Sequence, residues 1–137
     1  MIINIDVLGI PVSKARPRFS IHGGHVHAYT PKGTSMWEHQ IRMTAQKIQG
    51  KDAPLQEAIL MAIEVRLPVP KSLSKKKKFM ALSGSLKPIK RPDLDNYVKA
   101  ALDALQGVVF RDDSQICEIR AKKTYSETPG MNIIIST

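Results

Sequence analysis

RPDLDNYVKAALDALQGVVFRDDSQ, residues Arg91 to Gln115, holds Asp93, Asp95, Asp103, Asp112 and Asp113, five of the chain's twelve acidic residues. Leu94, Val98, Ala101, Leu102 and Leu105 recur at three- and four-residue spacing, which predicts an amphipathic helix that Gly107 terminates. Asp93 falls where an N-cap belongs. Asp95 and Lys99 stand one turn apart beside the apolar stripe, and Asp112 and Asp113 follow in a loop just past the other helix end. The acids at the two ends meet only if that loop folds back toward Asp93, and function turns on whether it does.

Outward from this helix, strands and helices alternate. Ile3, Ile5 and Val7 alternate with polar residues and predict a half-buried strand over Ile2 to Leu8, ended by Gly9 and Pro11. PVSKARPRF, Pro11 to Phe19, carries two prolines and three cations and reads as an extended arm. IHGGHVHAYTP then reads as a hairpin turning at Gly23 and Gly24. His25 and His27 share one of its faces, two ligands where a tetrahedral site needs three or four, so no metal site is assigned there.

Ser35 and Glu38 form the spacing of a capping box, and Trp37, Ile41, Thr44, Ala45 and Ile48 trace one helical face up to Gly50. Trp37 on that stripe reads as core rather than as a base-stacking residue. Ile59, Met61, Ile63 and Val65 predict a central strand closed by Pro68 and Pro70. A short helix over Ser72 to Ser83 is stopped by Gly84. Cys117, Ile119 and Ala121 start another strand, and Met131, Ile133 and Ile135 form the return strand after a turn at Glu127 to Gly130. The expected fold is α/β in the mixed α+β sense: one domain over residues 1–137, with a mixed sheet of about four to five strands packed with two to three helices.

At 137 residues the chain is long enough to bury a core without disulfides, and its one cysteine, Cys117, suits a reducing cytoplasm. No apolar run approaches the ~18 residues of a membrane span, and no signal-peptide pattern opens the chain. The net charge of +9 is segregated. Val7 to Trp37 holds Lys14, Arg16, Arg18 and Lys32 with no acid; Lys71 to Pro92 holds Lys71, Lys75, Lys76, Lys77, Lys78, Lys87, Lys90 and Arg91, again with no acid. The remaining nine basic and twelve acidic residues amount to −3. Segregated positive charge implies a polyanionic partner, nucleic acid rather than a membrane since no long basic amphipathic helix is present. The alternative is a lysine face kept for solubility. Four adjacent lysines, Lys75 to Lys78, circle a helix, which suits a general field over phosphates better than base readout.

Singly, an Asp–Lys pair on a helix is a surface ion pair, an N-terminal Asp a cap, and an Asp-Asp-Ser loop a turn. Jointly, directly after a basic segment, they point elsewhere. Carboxylates gathered at ~5 Å repel by about 3 kcal/mol per pair at an effective dielectric of 20, so such a cluster needs a cation. Hard oxygen ligands with open positions suit Mg2+, with Mn2+ as a substitute. Such an ion activates water and stabilises a leaving oxygen, and Lys99 would offset charge on the reacting phosphate. No covalent machinery competes: Ser114 has no histidine close in sequence, and Cys117 reads as lying on a buried strand face.

RPDLDNYVKAALDAL followed by GVVFRDDSQI resembles the signature of the RusA-type Holliday junction resolvases, small endodeoxyribonucleases of bacteria and their phages. PVSKARPRF, AYTPKGTSMWE and the lysine-rich segment resemble the phage and prophage branch, so the likeness covers nearly the whole chain. It implies that Asp93, Asp95 and Asp113 are metal-binding catalytic carboxylates and that Lys99 is an essential lysine. Asp112 matches a neighbouring acid, and a swap of roles between Asp112 and Asp113 stays open. It also implies an α/β homodimer that cuts two opposed strands of a four-way DNA junction with Mg2+ and no organic cofactor. Candidate DNA contacts are Lys14, Arg16, Arg18, Lys75, Lys76, Lys77, Lys78, Lys90 and Arg91.

Two cuts related by a two-fold axis need two carboxylate clusters, which a C2 pair supplies. The strand Met131 to Ile135 and the helix Ser35 to Gln49 are the candidate interfaces. Two other functions compete. In a non-catalytic nucleic-acid-binding protein the aspartates would be caps and ion pairs. A Mg2+-dependent nucleotide hydrolase is disfavoured because no glycine-rich phosphate cradle is present.

Overall fold

Ile3, Ile5 and Val7 are buried and Ile2, Asn4, Asp6 and Leu8 exposed, the period-two alternation of a strand with one face on a core. This strand, β1 (Ile2–Leu8), is the first of six in a computed structural model that describes all 137 residues. The others are β2 (Arg18–His22), β3 (His25–Tyr29), β4 (Ile59–Pro68), β5 (Ile116–Ser126) and β6 (Gly130–Ser136). Three α-helices accompany them: α1 (Lys32–Gln49), α2 (Lys75–Ser83) and α3 (Leu94–Leu105). Four strands form a mixed sheet in the order β1-β6-β4-β5, antiparallel except for the β4/β5 pair. A parallel pair needs a long crossover, and α2 and α3 lie within it. β2 and β3 pair only with each other.

Ile59, Met61, Ile63 and Val65 of β4 join Met131, Ile133 and Ile135 of β6 and the inner face of β1 in one buried cluster, closed by Trp37, Ile41 and Ala45 of α1 and by α3. Trp37 is therefore a core residue. Deep burial of a large apolar side chain contributes about 1.5–3 kcal/mol, so the central strands and two helices carry most of the stability. The outer face of the sheet, with Leu60, Ala62 and Ile134, is exposed.

Several local expectations give way to tertiary context. α1 begins at Lys32 with Pro31 as N-cap, and Ser35 lies inside it, its hydroxyl donating to the Lys32 carbonyl. Glu38 is thereby free to bind Lys14 rather than complete a capping box. The α1 stripe ends on buried Gln49, with Ile48 exposed. α2 starts at Lys75, later than Ser72, because the Ser74 side chain accepts from the Lys77 amide and caps it there.

α3 buries Tyr97, Ala100, Ala101, Ala104 and Leu105, with Leu94, Val98 and Leu102 only partly covered. Its buried face is turned toward the alanines, whose small side chains let α1 approach closely. Gly107 does not cap the helix; Gln106 does. At φ +84° Gly107 makes the turn after it, its amide donating to the Phe110 carbonyl at 2.7 Å.

Cys117 is exposed, contrary to the buried strand face expected. Ile116 pairs with Ile59 but Glu118 with Leu60, so Cys117 is the extra residue of a bulge on an edge strand. β6 is paired on both edges, to β1 and β4, so as a candidate interface it offers only its outer side chains.

Candidate active site

The acidic loop is set by an apolar plug. Val109 and Phe110 are fully buried, and around them Leu55 donates its amide to the Val109 carbonyl and accepts from the Arg111 amide. From that anchor residues 112–115 close into one 3-10 turn. Asp112 is its N-cap: its carboxylate accepts from the Ser114 amide at 3.2 Å, and its own amide donates to Gln115 Oε1 at 2.8 Å. The Ser114 side chain and amide hold the Asp112 carboxyl below its ordinary pKa. Gln115 Nε2 donates to the Leu55 and Glu57 carbonyls, fastening the loop to the segment before β4.

With Asp112 occupied as a cap, Asp113 is the loop acid that faces α3. Its Oδ2 lies 3.9 Å from Lys99 Nζ, so the loop does fold back onto the helix. Asp93 occupies the N-cap position of α3 but makes no capping hydrogen bond, and Asp95 lies in the first turn. Both are exposed, and neither takes part in an ion pair within 4.0 Å. The three carboxylates do not converge tightly: no group of three acids is close enough to enclose one ion. As donors they fit a hard divalent cation: Asp93 and Asp95 are carboxylates without hydrogen-bond partners at the positive end of α3, and Asp113 is bound only loosely, to Lys99.

Lys99 is also held by Asp103 one turn along, at 3.1 Å. The other oxygen of Asp103 is 3.1 Å from Lys14 Nζ, and Lys14 reaches Glu38 of α1 at 2.7 Å. Burial alone would depress the Lys14 pKa, but hydrogen bonds to Glu38 and Asp103 raise it above the ordinary lysine value. Lys14 is thus an internal ion-pairing residue, whereas the other proposed DNA contacts are open. Arg16, Arg18, Lys75, Lys76, Lys77, Lys90 and Arg91 are exposed, and Lys78 is half-buried.

On the β2–β3 hairpin, register puts His22, His25 and His27 on one face, with the His22 and His27 ring centroids 5.6 Å apart. The three do not form a group that would hold a metal.

Four positioning residues escape a reading of the sequence. Lys123 Nζ donates to the carbonyls of Lys90 and Pro92, fixing the segment that delivers Asp93, in which the Arg91–Pro92 bond is cis. Arg42 donates from α1 to the Asp103 and Ala104 carbonyls at the C-terminal end of α3. Asp103 joins Lys14 to Lys99. Gln115 alone carries a local signal, the Asp-x-x-Gln spacing of a capping box at Asp112.

The chain is 37% identical over 135 residues to Uncharacterized protein YqaN of Bacillus subtilis (strain 168), an alignment covering 97% of this chain and 94% of that protein. The family model described as Endodeoxyribonuclease RusA matches residues 9–136, which takes in the hairpin, both acid-bearing segments and Lys99. Matched over nearly its whole length, the chain belongs to the RusA endodeoxyribonuclease family.

Proposed function

We propose that this protein is a Mg2+-dependent, structure-selective endodeoxyribonuclease that resolves four-way junctions by paired cuts, working as a homodimer. The observation that carries the reading is the approach of the Asp113 loop to Lys99 of α3. It sets the loop that carries Asp113 against the helix that carries Asp95 and, at its N-cap, Asp93. Family membership supplies the class of reaction. The competing reading, in which the aspartates are structural, accounts for Asp112, a cap, and for Asp103, an ion-pair partner. It gives Asp93 and Asp95 no hydrogen-bond or ion-pair partner, only the helix dipole, although they would repel the phosphates that a purely binding protein must hold.

In the proposed mechanism Asp93, Asp95 and Asp113 would hold the cation, which as Mg2+, or Mn2+ in its place, would supply Lewis-acid activation of water and charge neutralisation at the leaving 3′ oxygen. Lys99 directs its ammonium at the reacting phosphate and offsets the charge that builds there. Arg16, Arg18, Lys75, Lys76, Lys77, Lys90 and Arg91 hold the junction arms through their phosphates, with no need to read bases.

Incubation of a labelled synthetic four-way junction with and without Mg2+, beside a linear duplex of the same sequence, tests the reading. Symmetric paired nicks on the junction that vanish on chelation are expected. Binding without cleavage at any Mg2+ or Mn2+ concentration would leave the non-catalytic reading standing.

A further inference from the structure

We infer that Lys14 and Asp103 are positioning residues for Lys99, linked in one chain of charges that ties the N-terminal arm to the catalytic helix. The inference rests on the role proposed for Lys99 in cleavage. Asp103 spends one oxygen on each lysine: Oδ1 on Lys99 at 3.1 Å and Oδ2 on Lys14 at 3.1 Å. Its side chain is 27% exposed and that of Lys14 21%, against 53% for Lys99, so the chain runs from a shielded anchor to an open end. Glu38 closes the inner end at 2.7 Å from Lys14.

Lys14 and Lys99 together balance Glu38 and Asp103. Because Lys14 occupies half of Asp103, that carboxylate orients Lys99 without claiming all of its charge, which stays available toward Asp113 and a phosphate. Removal of Lys14 would leave the half-buried Glu38 of α1 without its cation and give Asp103 wholly to Lys99.

The arm is fastened at the same point by its backbone. The Lys14 amide donates to the Asn96 carbonyl at 2.8 Å, next to Asp95. Thr34 of α1 accepts from the Ala15 amide and donates to the Ser13 carbonyl. Immediately beyond, Arg16 and Arg18 lead into the hairpin. Lys14, mostly shielded and paired with two acids, is poorly placed to meet a phosphate from solvent.

The test uses full-length Lys14→Met, Lys14→Arg and Asp103→Asn, with kcat on a four-way junction and Kd measured without divalent metal across a salt series. Lys14→Met and Asp103→Asn are expected to lower kcat about 10- to 100-fold, the scale on which small misplacements of a catalytic group act. Kd and its salt slope should stay as in the parent, Lys14→Arg should recover most of the rate, and the double variant should be no worse than the poorer single one. In lysine-labelled protein the Lys99 side-chain NMR signal, assigned by its disappearance in Lys99→Ala, should move in Lys14→Met. Should Asp103→Asn melt below the assay temperature, Lys14→Met carries the test, its apolar stem retaining the packing.

Unchanged kcat with weaker binding and a salt slope reduced by about 0.9, the value for one phosphate on duplex DNA, would make Lys14 an ordinary phosphate ligand and overturn the inference. If Lys99→Ala is inactive while Lys14→Met and Asp103→Asn cut normally, this inference alone falls. If Lys99→Ala itself cuts normally, the proposed role of Lys99 falls with it.

Discussion

Lys99 Nζ stands 3.9 Å from Asp113 Oδ2, which joins the middle of α3 to the turn that follows the buried Val109–Phe110 plug. It is looser than the 3.1 Å pairing of Lys99 with Asp103 on its own helix. The loop acid is therefore held near the lysine without being locked to it.

Asp93→Asn, Asp95→Asn and Asp113→Asn should each reduce junction cleavage by on the order of 10²–10³-fold or more, the scale for losing one electrostatic partner of a transition state. Junction affinity should hold or rise, because removing negative charge beside phosphates cannot weaken attraction. Single-turnover cleavage and metal-free gel shifts measure the two effects separately. Wild-type cleavage by any one variant would remove that residue from the site.

Neutralising Lys75, Lys76, Lys77 and Lys78 together should weaken junction binding and flatten its salt dependence, by about 0.9 in slope for each duplex phosphate that these lysines neutralise. The single-turnover rate at saturating protein should change little, since α2 is distinct from the element that bears Lys99. A slope equal to that of the parent would place the lysine run away from DNA.

Gln115→Ala should lower the cleavage rate without weakening junction affinity, and should cost about 1–3 kcal/mol in denaturant unfolding. Its amide meets the Leu55 and Glu57 carbonyls at 2.9 and 3.0 Å and accepts from the Asp112 amide, so its removal releases the turn that carries Asp113. A variant with parental rate and stability would show the turn to be held by the Val109–Phe110 plug alone.

Asp6→Asn should flatten the acid limb of the stability curve. Hydrogen bonds from Arg66, at 2.8 and 3.3 Å, hold the Asp6 carboxyl below its ordinary pKa against a smaller opposing effect of burial. A carboxyl with a depressed folded pKa contributes stability above its unfolded value, about 3.9, and loses it as pH falls through the lower folded value. The pair is partly solvated, so the contribution is about 0.2–1 kcal/mol at neutral pH. Urea midpoints from pH 7 down to pH 2 should converge for Asp6→Asn and parent at the acid end. A gap that widened toward low pH would refute the assignment.

The elements that position the site were legible because each rests on local periodicity. The 3.6-residue pattern from Leu94 to Leu105 located α3 and put Asp93 at its N-cap and Lys99 one turn past Asp95. Alternation in β1, β4 and β6 located three of the four strands of the main sheet, since side chains buried on one face of a strand must recur every second residue. The buried face of α3 was less legible. Tyr97 and three alanines line it because α1 packs there, a choice that apolar spacing within one helix does not contain.

Composition and spacing alone determined that this protein has a cationic chain with an acidic helix and loop, a pattern suited to a polyanionic partner. Tertiary structure decided how the charges divide. Lys14 belongs to Glu38 and Asp103 because α1 and α3 pack side by side, and it leaves Arg16 and Arg18 free of acidic partners. Asp112 is spent as a cap and Asp113 turned toward Lys99 because burial of Val109 and Phe110 fixes where the turn begins. A charge's partner is set by distances of a few ångströms between segments far apart in sequence, and those distances exist only once the apolar faces have packed.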